Sequence, residues 1–454
     1  MSLDKMVKKY EADVCVIGAG ISGLATAKCL KEKGFKVVIL EQSEQVGGLW
    51  CFRDHGYGVM RFTHINVSKH NYCFSDFPFP DHVPDFPHNR DMAEYINDYA
   101  VNFALDKLIH FNTRVEKVER SDDGWRISAI KTERGGSHIT QSENEIYNTK
   151  YVAIATGHHA KIKMPAFPGQ ETFKGKIMHS VDYKDAITNG LIGQRVVIVG
   201  IGNSAVDAAV DCATVGRCKQ VVISTRSGAW VVPNYVFGAP VDHYASRLFL
   251  WLPWKLSNYI FETVISMLTG HPNKLYLHST IDMMVFLFQL YKNVFSPKIG
   301  SSLAFIGFVQ PASGGILSMS ETQAMWFTQL CRQKVKLPSP QEMEADIKKE
   351  NEEAGNRYFK SARHTIQKDP ILYNDEISSF IGARPQLWRH PTMAIRLLFS
   401  SCGAAQWRLQ GPFQWSGANE TVRSVPITDF YKYSLVAVLV LFFAIFYNLL
   451  YFFW

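Results

Sequence analysis

Two stretches of this 454-residue chain decide its fold: Gly18-Ala19-Gly20-Ile21-Ser22-Gly23 near the start and Gly200-Ile201-Gly202-Asn203-Ser204-Ala205 in the middle. Each follows an apolar strand, Val14 to Ile17 and Val196 to Val199, and each opens a run suited to a helix. In that setting glycine lets the backbone approach a pyrophosphate, and the helix N-terminus offers unpaired N–H groups and the positive end of its dipole. The pattern predicts two doubly wound α/β units, each binding a dinucleotide, and the chain is long enough for two cores. Gly18, Gly20 and Gly23 are the candidate cradle of the first nucleotide; Gly200, Gly202, Asn203 and Ser204 are that of the second. Ala205 replaces the third glycine, at a position that governs helix packing more than phosphate approach.

The residue that ends the second strand of such a unit lies beside the adenosine ribose, and its charge selects the nucleotide. After the first turn, Lys36 to Leu40 reads as a strand ending at Glu41, whose carboxylate accepts hydrogen bonds from ribose hydroxyls, as FAD or NAD requires. After the second, Gln220 to Ser224 runs into Thr225-Arg226, where a cation suits a 2′-phosphate and points to NADP. Gly47-Gly48-Leu49-Trp50 follows Glu41 closely and favours FAD, because a flavin must be enclosed along its length. Val152 to Ala155 reads as a strand that ends at Thr156-Gly157, where small residues suit the approach of a flavin nucleotide or an ordinary core turn.

A content of 47% hydrophobic and 20% charged residues excludes a disordered chain. The eight cysteines form no CxxC pair, which offers no zinc site and suits buried thiols in a reducing compartment. A net charge of +7 reads as a solvated basic surface, and no nucleic-acid motif gives it another meaning. Met1 to Glu11 is too charged for a secretory signal. Leu435 to Trp454 carries no charge and is long enough to cross the ~30 Å hydrocarbon layer, so a membrane anchor is expected over 434–454. Leu248 to Leu268 is also apolar but is broken by Pro253, Lys255 and Glu262; it fits either an interfacial segment anchored by Trp251 and Trp254 or part of the core.

Phe173-Lys174-Gly175-Lys176-Ile177-Met178-His179-Ser180-Val181-Asp182-Tyr183 matches FxGxxxHxxx(Y/F) and resembles the identifying sequence of the flavin-containing monooxygenases. Baeyer–Villiger relatives resemble it too but carry Trp where Tyr183 stands. Asn66-Val67-Ser68-Lys69, Ser75-Asp76-Phe77-Pro78, Arg226 to Trp230, Arg363 to Gln367 and Trp407 to Pro412 resemble the same family. The resemblance implies an FAD domain (1–160 and 286–430) interrupted by an NADP domain (161–285), with the anchor in the endoplasmic reticulum membrane and the catalytic body on the cytosolic side. It also implies that NADPH reduces FAD, which reacts with O2 to a C4a-hydroperoxide that oxygenates soft nucleophiles, amines and sulfides. In that scheme Asn66 sits over the flavin, where its neutral amide donates without delivering a proton; an Asx turn is the competing reading of the same residue. His179 reads as a structural histidine rather than an acid or base, no metal is needed, and the oligomeric state is left open.

The chain departs from the family pattern after His271-Pro272-Asn273-Lys274, where Thr280 leads almost at once to Phe288-Gln289-Leu290-Tyr291-Lys292-Asn293. The NADP domain is therefore expected to lack strands and the second ATG-like turn of the family. Three other readings stay open: a noncatalytic, membrane-anchored flavoprotein remnant, an NADPH oxidase and a Baeyer–Villiger-type relative.

Overall fold

The structure, a computed structural model, describes residues 7–135, 138–159, 162–225, 232–269, 289–357 and 366–428. Arg226, the apolar run 434–454 and the segment that follows His271 lie outside the described residues.

The first glycine turn joins β1 (Lys8–Ile17) to α1 (Ile21–Glu32), and β2 (Val37–Leu40) returns beside β1. Val14 to Ile17 and all of β2 are buried, the near-continuous apolar pattern of parallel strands covered on both faces. After α2 (Asn89–Asn102) come the short β3 (Ile109–His110), then β4 (Thr113–Ser121), β5 (Gly124–Gly135) and β6 (His138–Ile154). β6, at 17 residues, runs parallel to β1 along its C-terminal half and antiparallel to β5 along most of its length. The result is a seven-stranded sheet with parallel order β3-β2-β1-β6 and an antiparallel extension through β5 and β4.

The chain then leaves this sheet for β7 (Arg195–Val199), α3 (Asn203–Thr214) and β8 (Gln220–Ser224), the second strand–turn–helix unit. β7 and β8 pair in parallel and, among the described residues, form a sheet of two strands only. A small hairpin, β9 (Tyr235–Val236) and β10 (Ala239–Pro240), leads through a 3-10 turn at Val241–Tyr244 to α4 (Arg247–Trp251) and α5 (Trp254–Thr269). Pro253 separates the two helices, and among the described residues no helix is long and apolar enough to cross a membrane. β11 (Leu303–Phe305) then re-enters the first sheet beside β6, so the second unit is an insertion in the first.

α6 (Ile316–Cys331) packs on α1, with Ser22 Oγ 3.0 Å from Ser320 Oγ, and both helices are buried for most of their length. Two segments singled out in the sequence meet at a buried ion cluster here. Arg408 Nη2 lies 2.7 Å from Glu321 and 3.2 Å from Asp76, and its Nε donates to Ser75 Oγ at 2.6 Å. Lys28 pairs with the same Asp76. Removing one member of such a cluster leaves a buried charge uncompensated, at a cost of about 3–5 kcal/mol. All eight cysteines are free and seven are buried, Cys218 being half-buried.

Candidate functional site

The first glycine turn is built by close approach. Gly18 adopts φ of 106°, and a Cβ there would come within 2.6 Å of the Ala155 carbonyl oxygen at the end of β6. A Cβ on Gly23 would overlap the Gly18 carbonyl oxygen, so the third glycine is what lets α1 pack against its own turn. Gly48 backs directly on Gly20, where a Cβ would lie 3.2 Å from the Gly20 Cα, and Gly47 N–H donates to Ala19 O at 3.0 Å. Arg53 holds this second loop in place by donating to Gly48 O at 3.0 Å and Tyr57 O at 3.2 Å. No side chain caps α1, which leaves its first N–H groups free of an intrahelical partner.

Glu41 directly follows β2, the place its sequence position predicts. Its carboxylate accepts from Ala19 N–H at 2.8 Å and from the N–H and hydroxyl of Ser43, both at 2.8 Å. Those bonds fix the acid between the glycine turn and the loop that follows β2.

A cavity of about 2140 Å³ opens over these residues. It touches Gly18, Gly20, Glu41, Gly48, Leu49, Trp50, Asn66, Thr156 and Gly157, all candidates from the sequence; Gly23 serves helix packing instead. The cavity also reaches Asn203 at the head of α3, while Gly200, Gly202 and Ser204 form that turn without lining it. Uncapped helix starts suit a pyrophosphate group at each turn, and at the first turn the closely packed glycines leave no room for a Cβ.

Asn66 lies on the cavity wall. The Ser68 N–H, which an Asx turn would use, instead donates to Asp242 Oδ1 at 3.2 Å, so the Asn66 amide is not spent on a local turn. His179 is half-buried and accepts from Val181 N–H at 3.2 Å through Nδ1, a local structural contact. Tyr183 donates to Asp211 Oδ2 of α3 at 2.5 Å, and burial together with that carboxylate pushes its phenol up. The motif thus seats the second unit's helix and lies away from the cavity wall.

Several wall residues carry no signal in the sequence. His158 follows Gly157 directly, and burial and its neighbour His159 lower its imidazole to about 4. Asp242 comes from the 3-10 turn of the insertion, and Ile260, Phe261 and Val264 of α5 supply an apolar side. Only adjacency to the Thr156-Gly157 turn could have marked His158 in advance.

The profile of the flavin-binding monooxygenase-like family matches residues 11–277 and 273–429. The chain belongs to that family. It is 34% identical to human (Homo sapiens) flavin-containing monooxygenase 5 over 495 aligned positions, which take in 90% of this chain and 91% of that protein. It is 31% identical to rabbit (Oryctolagus cuniculus) dimethylaniline monooxygenase [N-oxide-forming] 2 over 500 positions, covering 90% of each. The fold is shared with S-allyl-L-cysteine S-oxygenase from Allium sativum, at a TM-score of 0.61 and 20% identity over 84% of this chain and 91% of that one. The family makes this chain a flavin-dependent monooxygenase with FAD and NADP(H) as its cofactors. The family match comes in two pieces that meet at 273–277, and the alignment to the human relative is longer than the whole 454-residue chain. Gaps therefore interrupt this chain relative to that relative.

Proposed function

We propose that this monooxygenase transfers one oxygen atom from O2 to a soft nucleophile, the nitrogen of an amine or the sulfur of a thioether, while the other leaves as water with two electrons from NADPH. The single observation that carries the reading is the shared cavity, which touches the first glycine turn and Asn203 of the second, so that two nucleotides can meet in one enclosure. Bound FAD, reduced by NADPH, supplies the activated oxygen. The chain's own residues bind, orient and shield. The first glycine turn and the α1 N-terminus hold a pyrophosphate, and Glu41 is placed for ribose hydroxyls. The α3 N-terminus with Asn203 holds the second phosphate group, and Arg226 selects the 2′-phosphate by charge. Asn66 presents a neutral amide that donates and accepts at the reacting ring, and Ile260, Phe261 and Val264 keep water from one side. No protein nucleophile or metal is required by this scheme.

The apolar run 434–454 is proposed as a membrane anchor, with the endoplasmic reticulum as its site and the catalytic body in the cytosol. Trp251, Tyr259 and Met267 on the outer side of α4 and α5 are exposed apolar groups that suit the same surface.

Two observations favour a second reading. The pairing of β7 with β8 alone among the described residues and the match divided at 273–277 support a flavoprotein that no longer uses NADPH. Anaerobic addition of NADPH to the FAD-loaded full-length protein separates the two. Bleaching of the flavin, followed in air by N-oxide from dimethylaniline or sulfoxide from a thioether, is the expected result. Bleaching by dithionite but not by NADPH overturns the oxygenase reading in favour of the remnant; a lactone or ester from a ketone probe instead selects the Baeyer–Villiger alternative.

A further inference from the structure

The loop that carries Asn66 is gripped by a carboxylate from the insertion, 174 residues further along the chain. Asp242 Oδ1 accepts from Ser68 N–H at 3.2 Å; Oδ2 accepts from Ser68 Oγ and from Asn71 Nδ2, both at 2.6 Å. Ser68 and Asp242 are buried, at 0% and 4% exposure. Three donors converging on two oxygens is an arrangement that only an acceptor-only group satisfies in full. The hydroxyl of Ser68 has one proton and spends it on Asp242. His243 Nε2, 3.0 Å from Ser68 Oγ, must then be the donor to it, which in the neutral ring leaves Nδ1 bare. That Nδ1 is buried and has no hydrogen-bond partner, and burial lowers this imidazole, both in keeping with the neutral form.

We propose that Asp242, backed by His243, is a positioning residue for the oxygenation site: it locks the loop 65–73 so that the Asn66 amide faces the cavity. The inference rests on the role of Asn66 given above. Asp242 does two things at once. By taking the Ser68 N–H it denies Asn66 the Asx turn that would fold its side chain back on the loop. By bonding Ser68 and Asn71 together it removes the freedom of the loop that follows Asn66. Because Asp242 belongs to the insertion and itself lines the cavity, the aim of Asn66 in the flavin half depends on how the inserted half is seated.

The test uses full-length, FAD-loaded protein carrying Asp242→Asn or Ser68→Ala. The first readout is independent of turnover: hydrogen exchange of the peptide spanning 65–73, with the visible circular dichroism of the bound flavin. Loss of a hydrogen bond to a charged acceptor should speed exchange in this peptide by about tenfold and leave distant peptides unchanged. The second readout is coupling, the thioether sulfoxide formed per NADPH consumed. It should fall by about tenfold, with hydrogen peroxide rising to match, while anaerobic flavin reduction by NADPH stays within about twofold. Ser68→Thr, which keeps the hydroxyl, should retain coupling.

Unchanged exchange and dichroism in both variants, or faster exchange throughout the molecule, overturns the proposal, the second outcome reducing Asp242 to a general stability element. Should Asp242→Asn fail to accumulate, Ser68→Ala carries the same measurements with one hydroxyl removed. Asn66→Ala separates the two levels of the argument. If it couples like the unaltered protein while Asp242→Asn loosens the loop, the role given to Asn66 is wrong and the latch is only a loop clamp. If Asn66→Ala uncouples and Asp242→Asn does not, the positioning proposal fails and the role of Asn66 survives.

Discussion

The two glycine turns, so alike in sequence, sit in unlike surroundings. Around the first, Gly23 touches the Gly18 carbonyl, Gly48 backs on Gly20, and β1 runs beside two buried parallel neighbours. Around the second, a Cβ added to Gly200 would meet only the Ala205 methyl, 4.0 Å away, and β7 has one strand neighbour among the described residues. Val197 and Val199 of β7 are 65% and 60% exposed, where Val14 and Val16 of β1 are at 0%. A glycine turn therefore encodes a local backbone path, and the strands around it decide whether that path is held rigidly. The flavin half is a closed framework; the nicotinamide half borrows support from it through Arg61–Asp185 and Ser68–Asp242.

The largest effect that tests this contrast is at the third position of each turn. Gly23→Ala should cost about 3 kcal/mol and release FAD, because the added methyl has no space. The reverse exchange in the second turn, Ala205→Gly, should cost about 1 kcal/mol from helix propensity alone. Urea unfolding followed by flavin fluorescence measures both, and equal costs would erase the distinction. A smaller contrast lies in the strands. Val16→Ala should destabilise by about 2 kcal/mol and Val199→Ala by less than about 0.5 kcal/mol. A large loss at Val199 would sharpen the picture differently, by showing that β7 is covered in the working protein.

A separate effect is that of acidity on the flavin half. His70 and His158 are both lowered from 6.5 to about 4, chiefly by burial, with His243 adding to the shift at His70 and His159 at His158. The unfolded imidazoles bind protons first, so this stability is full above pH 6.5 and is lost as pH falls toward 4. The melting temperature of the FAD-loaded protein should decline over that window, with flavin release marking the transition. A flat profile from pH 7 to pH 5 would remove these two residues from the account.

Features that glycine dictates were legible in the sequence, because close backbone approach leaves few other residues to choose from. That covers the first turn, the Gly47-Gly48 loop behind it and the turn after β6 at Thr156-Gly157. Glu41 was legible for a related reason, since its place at the end of β2 follows from the strand alone. Ser75 and Arg408 stood out by resemblance, but their partnership with Glu321 joins positions far apart in the chain and leaves no local pattern. The same holds for Ser68 and Asp242, whose contact depends on where the insertion settles. The break after His271 was visible as a departure from pattern; it lies outside the described residues, among which β7 and β8 pair only with each other.

The return of β11 to the edge of β6 has a consequence for biosynthesis. A ribosome that has made β1 to β6 has delivered a flavin sheet still lacking its last strand, and α1 without the helix that covers it. Residues 303–331 supply both, and they emerge only after the whole insertion has been translated. Until then the nascent chain carries an unpaired strand edge and an uncovered apolar helix, the surfaces that chaperones recognise and that aggregation exploits. Yield in cells should therefore depend on how quickly the insertion folds out of the way, since the first half waits on the last to close it.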